Sequence, residues 1–335
     1  MSAGVATSQA GDWAKIILSP QPPDKAWMQI CNRLRDLALA GPTPQALHKA
    51  TIDPDRMLAE SAWNLWFEFA SSAPSVIAEL RSFWSATSAS GSAVLILDAL
   101  SLRELPLIVA AANKRSVTPT RVEARAASVP TETDRFAEAL GIPGRSKLFN
   151  NKAPGTFIFA GPDTHTDVMD APFEDCVGSV PTAPRLFLWH KWPDEPLIHL
   201  HEDKPDGHNI VARQTKEQLS SDGFWKLIDR MRQGRRLVIT GDHGYAVSQF
   251  FSSEIKDEES IKLLRKHFHA GRSSREDTAN PWPNRHLPPI VCRNDGWLAV
   301  MGQRKWSVQG GFPHLSHAGL TLLEAVVPYI ELPAI

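Results

Sequence analysis

The sequence has few cysteines, no excess of either charge and no long hydrophobic run. Its three cysteines, Cys31, Cys176 and Cys292, form no CxxC pair, so we expect no disulfide framework and a reducing cytoplasm. Among 335 residues, 36 are Lys or Arg and 37 are Asp or Glu, which excludes a chain that coats nucleic acid by bulk charge. Apolar runs are far shorter than the roughly 20 residues that cross a bilayer, and no secretory signal is recognisable, so no membrane contact is predicted.

Several common catalytic motifs are also missing. The sequence contains no GxxxxGK[ST] phosphate loop, no GxGxxG motif, no GxSxG elbow, no HExxH motif and no cysteines at zinc-finger spacing. It lacks the CxPxR segment of sulfatases as well. Histidine is plentiful, with 12 residues, and many of them lie between His190 and His317 among carboxylates.

Hydrophobic spacing divides the chain after residue 88. Apolar residues recur at helical spacing in residues 1–88, which predicts a small N-terminal helical region, and residues 85–92 have the composition of a linker. Residues 89–335 form the second predicted unit. Short apolar runs alternate there with helical stretches, which predicts an α/β fold with a mostly parallel sheet flanked by helices. The predicted strands are 93–97, 156–159, 185–189, 237–240, 297–301 and 325–330.

Two of the predicted strands end in polar side chains. Asp98 follows one apolar run directly, and Asp242 and His243 follow another after a single glycine. Ligands of open α/β sheets bind outside the carboxyl ends of the strands. An Asp at a strand end is also often a helix cap or turn residue. The two strand ends together favour a metal site, and oxygen with imidazole suits zinc or manganese.

A third polar group is Thr133, at the start of a helical pattern in SVPTETDRFAEAL. Threonine there is a good N-cap, but its hydroxyl also faces the positive end of the helix dipole, where phosphate binds. The hydroxyl is therefore a candidate nucleophile. Further candidate ligands are His190, Asp194, His199, His201, Asp203, Asp206, His208, His314 and His317.

Five segments in order, VLILDAL, PTET, WHKWPD, VITGDHGYA and HAGLTLLEAVVP, resemble the PglZ domain of the alkaline phosphatase superfamily. The usual pattern of that domain is a strand ending in Asp, P-S-x-T, Y-H-x-x-x-D, T-S-D-H-G and H-G-G-L-S-x-E-E-x-x-x-P. The resemblance covers about residues 93–331. Gly241 replaces the usual serine and Ala318 replaces a glycine, and both changes keep a small residue.

The resemblance implies an alkaline-phosphatase-like fold that holds two divalent metal ions, zinc or alternatively manganese or magnesium. The residues that match ligands of one ion are Asp98, Thr133, Asp242 and His243, with Thr133 as the catalytic nucleophile. Asp194 and His317 match ligands of the other ion. Its third ligand stays open among His199, His201 and His208.

The resemblance also implies a substrate class, phosphodiesters, with nucleotides or nucleic acid among them, and partner proteins of a bacteriophage-defence (BREX-like) system. Within a basic stretch at 262–275, Arg272 and Arg275 are predicted to bind substrate phosphate. Trp282 and Trp306 are weaker candidates for stacking on bases. Two alternatives stay open: an inactive metal-binding scaffold of a defence complex, and a phosphomonoesterase.

Overall fold

A six-stranded sheet lies at the centre of the molecule. The structure is a computed structural model and describes residues 12–86, 90–251, 253–283 and 286–335. The strands of all its sheets, in chain order, are β1 (Gly91–Asp98), β2 (Arg121–Ala126), β3 (Thr164–Met169), β4 (Arg185–Pro193), β5 (Arg235–Thr240), β6 (Ser253–Ile255), β7 (Ser273–Arg275), β8 (Val291–Asn294), β9 (Trp297–Val300), β10 (Arg304–Trp306) and β11 (Val326–Leu332). The α-helices after residue 17 are α1 (Pro23–Leu39), α2 (Pro44–Glu60), α3 (Trp63–Phe67), α4 (Phe69–Ser72), α5 (Val76–Ser85), α6 (Leu105–Lys114), α7 (Thr133–Ala139), α8 (Phe173–Cys176), α9 (Gly207–Ser220), α10 (Asp222–Arg232), α11 (Glu258–Phe268) and α12 (Leu322–Ala325).

The central sheet is mostly parallel. Its strand order is β2-β11-β5-β1-β4-β3. Strand β1 pairs in parallel with β4 and β5, and β3 pairs in parallel with β4, whereas β11 runs antiparallel to both β2 and β5. The predicted fold class, a mostly parallel α/β sheet flanked by helices after an N-terminal helical region, is therefore confirmed.

The side chains of β1 show why this strand reads as a continuous apolar run. Ala93, Leu95 and Leu97 belong to one hydrophobic cluster, and Val94 and Ile96 belong to another. Helices α1, α6 and α10 contribute to the first cluster, and α5 and α7 contribute to the second. Because both faces of the strand are covered, every position from Ala93 to Leu97 is apolar.

The N-terminal helices share the core of the sheet. Trp27 and Leu34 of α1 lie in the same hydrophobic cluster as Leu95 of β1. The division between residues 1–88 and 89–335 stays a prediction. Part of the predicted linker is not a linker, because Gly91 and Ser92 already pair within β1, and residues 87–89 of it lie outside the described residues.

The predicted strand at 156–159 is wrong. These residues form turns, while Phe157 and Phe159 are buried and pack against the ring of Phe187, with centroids 5.2 and 5.5 Å apart. Burial of two alternating aromatic side chains produced the strand-like pattern without any strand pairing. Strands β2 and β3 were not predicted, since each lies at an edge of the sheet and has a polar sequence.

Two small sheets lie outside the central one. Strands β6 and β10 pair in parallel, and β9 pairs antiparallel with both β7 and β8. Trp282 and Trp306 are 4% and 1% exposed in a hydrophobic cluster beside them, so neither side chain is placed to stack on a base. Among the described residues, no helix combines the length and apolar character needed to cross a membrane.

Candidate active site

The carboxyl ends of β1 and β5 bring two aspartates together. Asp98 is the last residue of β1 and Asp242 follows β5 by two residues, and both are completely buried. The backbone N–H of Ala99 donates to Asp242 Oδ1 at 3.0 Å, which ties the two strand ends to each other. Because neighbouring parallel strands end at the same edge, the sequence pattern was sufficient to predict this meeting.

His243 completes a group of three candidate ligands with these aspartates. Its Nδ1 lies 2.9 Å from the carbonyl of Gly244, which only accepts, so Nδ1 carries the proton and Nε2 is free to bind a metal. His243 Nε2 lies 3.6 Å from Asp98 Oδ1 and 3.5 Å from Asp242 Oδ2. Burial lowers the pKa of His243, but the charges of Asp242 and Asp194 outweigh this and raise it.

Glycine at position 244 is required by a close backbone approach. A Cβ on Gly244 would lie 2.2 Å from the carbonyl oxygen of Leu323, and the Gly244 N–H donates to the carbonyl of Glu324 at 2.8 Å. The turn after His243 is thereby held against the segment that leads into β11.

The hydroxyl of Thr133 lies against this group. Thr133 Oγ1 donates toward Asp242 Oδ2 at 2.9 Å and Asp98 Oδ1 at 3.1 Å, and it lies 3.4 Å from His243 Nε2. Its position at the first residue of α7 agrees with the predicted helix start. The structure therefore brings together all four residues that the sequence assigned to the first metal.

A second group consists of Asp194, His199 and His317, whose candidate ligand atoms lie within 4.8 Å of one another. His199 Nε2 is 3.4 Å from both Asp194 Oδ2 and His317 Nε2. Asp194 is 4% exposed, and its Oδ1 has no hydrogen-bond partner among the described residues. A buried carboxylate oxygen without a partner is costly unless a cation binds it, so this donor set fits a divalent metal.

The two groups are adjacent. The register of β1 against β4 shifts at Asp98, so that this residue lies opposite Pro193 and hence beside Asp194. The rings of His243 and His317 stack with centroids 4.7 Å apart and an interplanar angle of 23°. Burial and the neighbouring His243 lower the pKa of His317, which favours the neutral ring that metal binding needs.

A short π-helix, Asp194–His199, explains the spacing of the second group. It follows β4 directly and brings the imidazole of its last residue back to the carboxylate of its first. His317 reaches the same place from a loop near α12, where the Ala318 N–H donates to the Thr131 carbonyl at 3.0 Å. The loop that carries His317 is thus bonded to the loop that precedes Thr133.

Two basic residues near Thr133 were missed by the sequence analysis. Arg145 makes ion pairs with Asp98 and Glu195, and Lys191 Nζ lies 3.1 Å from the carboxylate of Glu195. Arg145 and Lys191 also line, with Thr133, a cavity of about 400 Å³. Arg145 begins a short 3-10 helix and Lys191 lies in β4, and a single cation in either element has no periodic or motif signal, so the sequence did not indicate these residues.

Two of the predicted metal ligands lie elsewhere. His201 is buried with Nδ1 2.8 Å from the carbonyl of Leu197, and it is not part of the Asp194 group. His208 contacts Gln249 and the ring of Phe250 instead. Of the three candidates for the third ligand, only His199 is brought to Asp194 and His317.

Arg272 also differs from its prediction. Its completely buried guanidinium is paired with Glu324 at 3.1 Å and donates to two backbone carbonyls, those of Gly302 and Arg304. These bonds leave no exposed edge for a substrate, which corrects the sequence-based assignment. Arg275 is 57% exposed in its side chain and pairs with Glu138, so its role toward a substrate stays a prediction.

The comparisons with known proteins give structural likenesses alone. No protein-family model matches the chain, and no curated protein does. Murine ectonucleotide pyrophosphatase/phosphodiesterase 5, in an inactive variant with AMP, is 13% identical with a TM-score of 0.41, over 73% of this chain and 88% of that one. Phosphonoacetate hydrolase from Sinorhizobium meliloti 1021, with phosphonoformate, is 13% identical with a TM-score of 0.43, over 74% of this chain and 91% of that one.

Proposed function

We propose that this chain is a metal-dependent phosphoric ester hydrolase, a phosphodiesterase or nuclease-type enzyme that acts through Thr133. The observation that carries the proposal is the position of one hydroxyl, Thr133 Oγ1, 2.9 Å from Asp242 and beside two adjacent groups of oxygen and imidazole ligands. A hydroxyl that only capped its helix would not need three buried ionisable neighbours.

The residues of this chain would divide the chemistry among them. The Thr133 oxygen attacks phosphorus, a Thr133 Oγ–P bond forms, and the P–O bond to the leaving group breaks. The proton lost from the hydroxyl is balanced by the one that the leaving oxygen takes up to become an alcohol. The carboxylates of Asp98 and Asp242 accept the hydrogen bond of the hydroxyl before the attack. Water then cleaves the Thr133 phosphoester and restores the hydroxyl.

The two groups of donors are the proposed metal ligands. Asp98, Asp242, His243 and Thr133 would hold one divalent ion, and Asp194, His199 and His317 the other. Two such ions, zinc or alternatively manganese or magnesium, would lower the pKa of a bound hydroxyl and offset the charge of a phosphate group.

The cavity beside Thr133 supports a phosphate-containing substrate. Two cations, Arg145 and Lys191, line it together with two carboxylates, those of Asp134 and Asp170. The ring of Phe149, which is 50% exposed, lies on the same cavity. A guanidinium binds phosphate oxygens in pairs, and an exposed aromatic ring can stack on a base. We therefore propose a phosphodiester that carries a nucleoside, such as a nucleotide or a nucleic-acid strand.

A phosphomonoesterase is the second candidate, and the same two cations favour it. A monoester presents a third non-bridging oxygen, and Arg145 beside Asp98 is a candidate partner for it. Relative rates on mono- and bis-p-nitrophenyl phosphate separate the two candidates, since the diesterase predicts faster cleavage of the bis ester.

The resemblance to PglZ domains supports a role in a bacteriophage-defence system of the cytoplasm, with residues 89–335 as the catalytic part and residues 1–88 as a helical region. The inactive scaffold is the competing reading. It predicts that the purified chain neither cleaves phosphoesters nor holds two metals.

The test is hydrolysis of bis-p-nitrophenyl phosphate by the zinc-loaded chain. Thr133→Ala is expected to lose about 100-fold or more of the activity, which is several kcal/mol of transition-state stabilisation. Thr133→Ser keeps a hydroxyl at the same place and is expected to retain measurable activity. If Thr133→Ala hydrolyses the ester as fast as the unmodified chain, the proposed nucleophile is wrong.

A further inference from the structure

A second cavity, apart from the ligand groups around Thr133, lies between the start of α2 and the start of α9. Its volume is about 200 Å³, and His48, Arg103, His208 and Phe250 are among the side chains that line it. None of its lining residues belongs to the group of Asp98, Asp242 and His243 or to the group of Asp194, His199 and His317. The cavity is therefore separate from the candidate metal sites, and Arg103 is the charged residue that lines it.

Arg103 presents one unused edge. The residue is 5% exposed, and its Nη1 donates to the carbonyl of Tyr245 at 2.6 Å and to Ser101 Oγ at 3.1 Å. Its Nε and Nη2 are buried and have no hydrogen-bond partner among the described residues. These two N–H groups form the parallel pair with which arginine binds two oxygens of a carboxylate or phosphate at once.

Two other buried arginines, Arg272 and Arg235, do not share this feature. Arg272 uses Nε, Nη1 and Nη2 in hydrogen bonds, and Arg235 does the same. The nearby carboxylate of Glu104 accepts from Ser101 N and from the hydroxyl of Tyr245, not from Arg103. An unpartnered guanidinium edge costs free energy when it is buried, so a ligand that accepts both hydrogen bonds would relieve that cost.

Two histidines also line the cavity. His48 is 4% exposed, and burial together with the charge of Arg103 lowers its pKa to about 4, so its ring is neutral at pH 7. His208 Nδ1 lies 2.6 Å from the amide nitrogen of Gln249, and its Nε2 lies 3.4 Å from the amide nitrogen of Gln45. Arg103 is therefore the charged donor of this cavity. No Asp or Glu is among the residues that line the cavity.

The N-termini of two helices at this cavity also favour a negatively charged ligand. The cavity is lined by Thr43 and Gln45 at the start of α2 and by His208 and Asn209 at the start of α9. Helix N-termini carry partial positive charge and favour anions. The aromatic rings of Tyr245 and Phe250 close the remaining walls.

We infer that this cavity binds a small oxyanion, an inorganic phosphate or a small carboxylate, held by the Nε and Nη2 edge of Arg103 at the N-termini of α2 and α9. The size supports the choice of ligand, because pockets that bury drug-sized molecules measure about 300–1,000 Å³. The inference does not rest on the proposed hydrolase activity, since it uses none of the residues assigned to the metals.

The experiment is isothermal titration of the full chain, treated with chelator, with inorganic phosphate and separately with acetate. The unmodified chain is expected to bind one equivalent of at least one of the two anions. Arg103→Lys keeps the charge but loses the paired donors, and it is expected to weaken binding about tenfold or more. Ala212→Phe fills the cavity from α9 without removing a polar group and is expected to do the same.

Two further variants identify where the anion binds. Arg213→Lys is the matched control, because Arg213 is an exposed residue of α9, next to Ala212. The affinity of this variant for the anion should equal that of the unmodified chain. Arg145→Lys reports binding beside Thr133. The inference is overturned if neither anion binds, if Arg103→Lys and Ala212→Phe bind as well as the unmodified chain, or if only Arg145→Lys weakens binding.

Discussion

Asp194 shows at the scale of a single residue how a candidate ligand can be recognised. Its carboxylate is almost completely buried, one oxygen faces His199, and the other has no partner in the described chain. Burying a charged group in this state costs several kcal/mol unless a cation compensates it. Asp98 and Asp242 are buried as well, but they differ from Asp194, because Arg145, Thr133 and the Ala99 N–H supply partners to their oxygens.

Replacing one aspartate of either ligand group should remove the metal ion of that group alone. Asp194→Ala and Asp242→Ala are each expected to lower the metal content of the purified chain from about two ions to about one, as each site needs its carboxylate. Elemental analysis measures this directly. Asp203→Ala, at an exposed position nearby, is the control and should keep both ions. Full metal content in Asp194→Ala would contradict the second site.

At the scale of the element, Glu324 of α12 organises the loop that carries His317. Glu324 accepts hydrogen bonds from Arg272 and also from the backbone N–H groups of Gly319 and Thr321, at 3.0 and 3.1 Å. A Cβ on Gly319 would lie 2.2 Å from Arg272 Nε, so the loop passes directly over the guanidinium. The buried ion pair thus fixes the loop before α12.

Breaking this pair should destabilise the chain strongly. Arg272→Leu leaves the Glu324 carboxylate buried without a counter-charge, which costs about 3–5 kcal/mol. Arg275→Leu removes an exposed arginine three residues away and is expected to cost less than about 1 kcal/mol. Urea denaturation measures both free energies of unfolding. Equal losses in the two variants would show that Arg272 is not the structural residue described here.

Helix α2 reaches the same region through Asp55, which accepts hydrogen bonds from Gln303 Nε2 and Leu322 N at 2.8 Å each. Burial raises the pKa of Asp55 to about 7, although the bonds from Gln303 and Leu322 lower it in part. The folded chain therefore holds this proton more tightly than the unfolded chain.

The stability of the chain should reflect that proton. Between pH 4 and pH 7 the folded state binds more protons at Asp55 than the unfolded state does, so rising pH lowers the free energy of unfolding. Relative to Asp55→Asn, the unmodified chain should lose up to about 4 kcal/mol across this window, from three pKa units of about 1.4 kcal/mol each. Asp53→Asn, at a half-exposed position, keeps Asp55 and should lose stability across this window as the unmodified chain does.

The elements that the sequence predicts are those with complete burial. Strands β1 and β5 lie inside the sheet, and their continuous apolar runs identify both the strands and the aspartates at their ends. Edge strands β2 and β3 carry no such signal. Arg145 could not be found from the sequence, because its contact with Asp98 joins residues 47 positions apart and follows no periodicity.

At the scale of the whole molecule, the N-terminal helices and the central sheet share one hydrophobic core. Trp27 of α1 is completely buried beside Trp66 and Phe69, with ring centroids 4.9 and 4.7 Å away, and all three belong to the cluster that covers one face of the sheet. Helices packed in this way are expected to unfold together with the sheet.

A pair of neighbouring substitutions tests this expectation. Trp27→Ala should cost about 3–5 kcal/mol and shift a single thermal transition of the whole chain. Met28→Ala, at a position that is 42% exposed, should leave that transition almost unchanged. Circular dichroism follows both. A separate early transition in Trp27→Ala would instead show that the N-terminal helices unfold on their own.

The position of β11 has a consequence for how the molecule is made. This strand lies between β2 and β5, and its partners precede it by roughly 200 and 90 residues. During synthesis on the ribosome, β2 and β5 are exposed long before residues 326–332 emerge. Both strands then carry an open edge that could pair with other chains. We therefore expect the nascent chain to need chaperone protection until β11 is inserted.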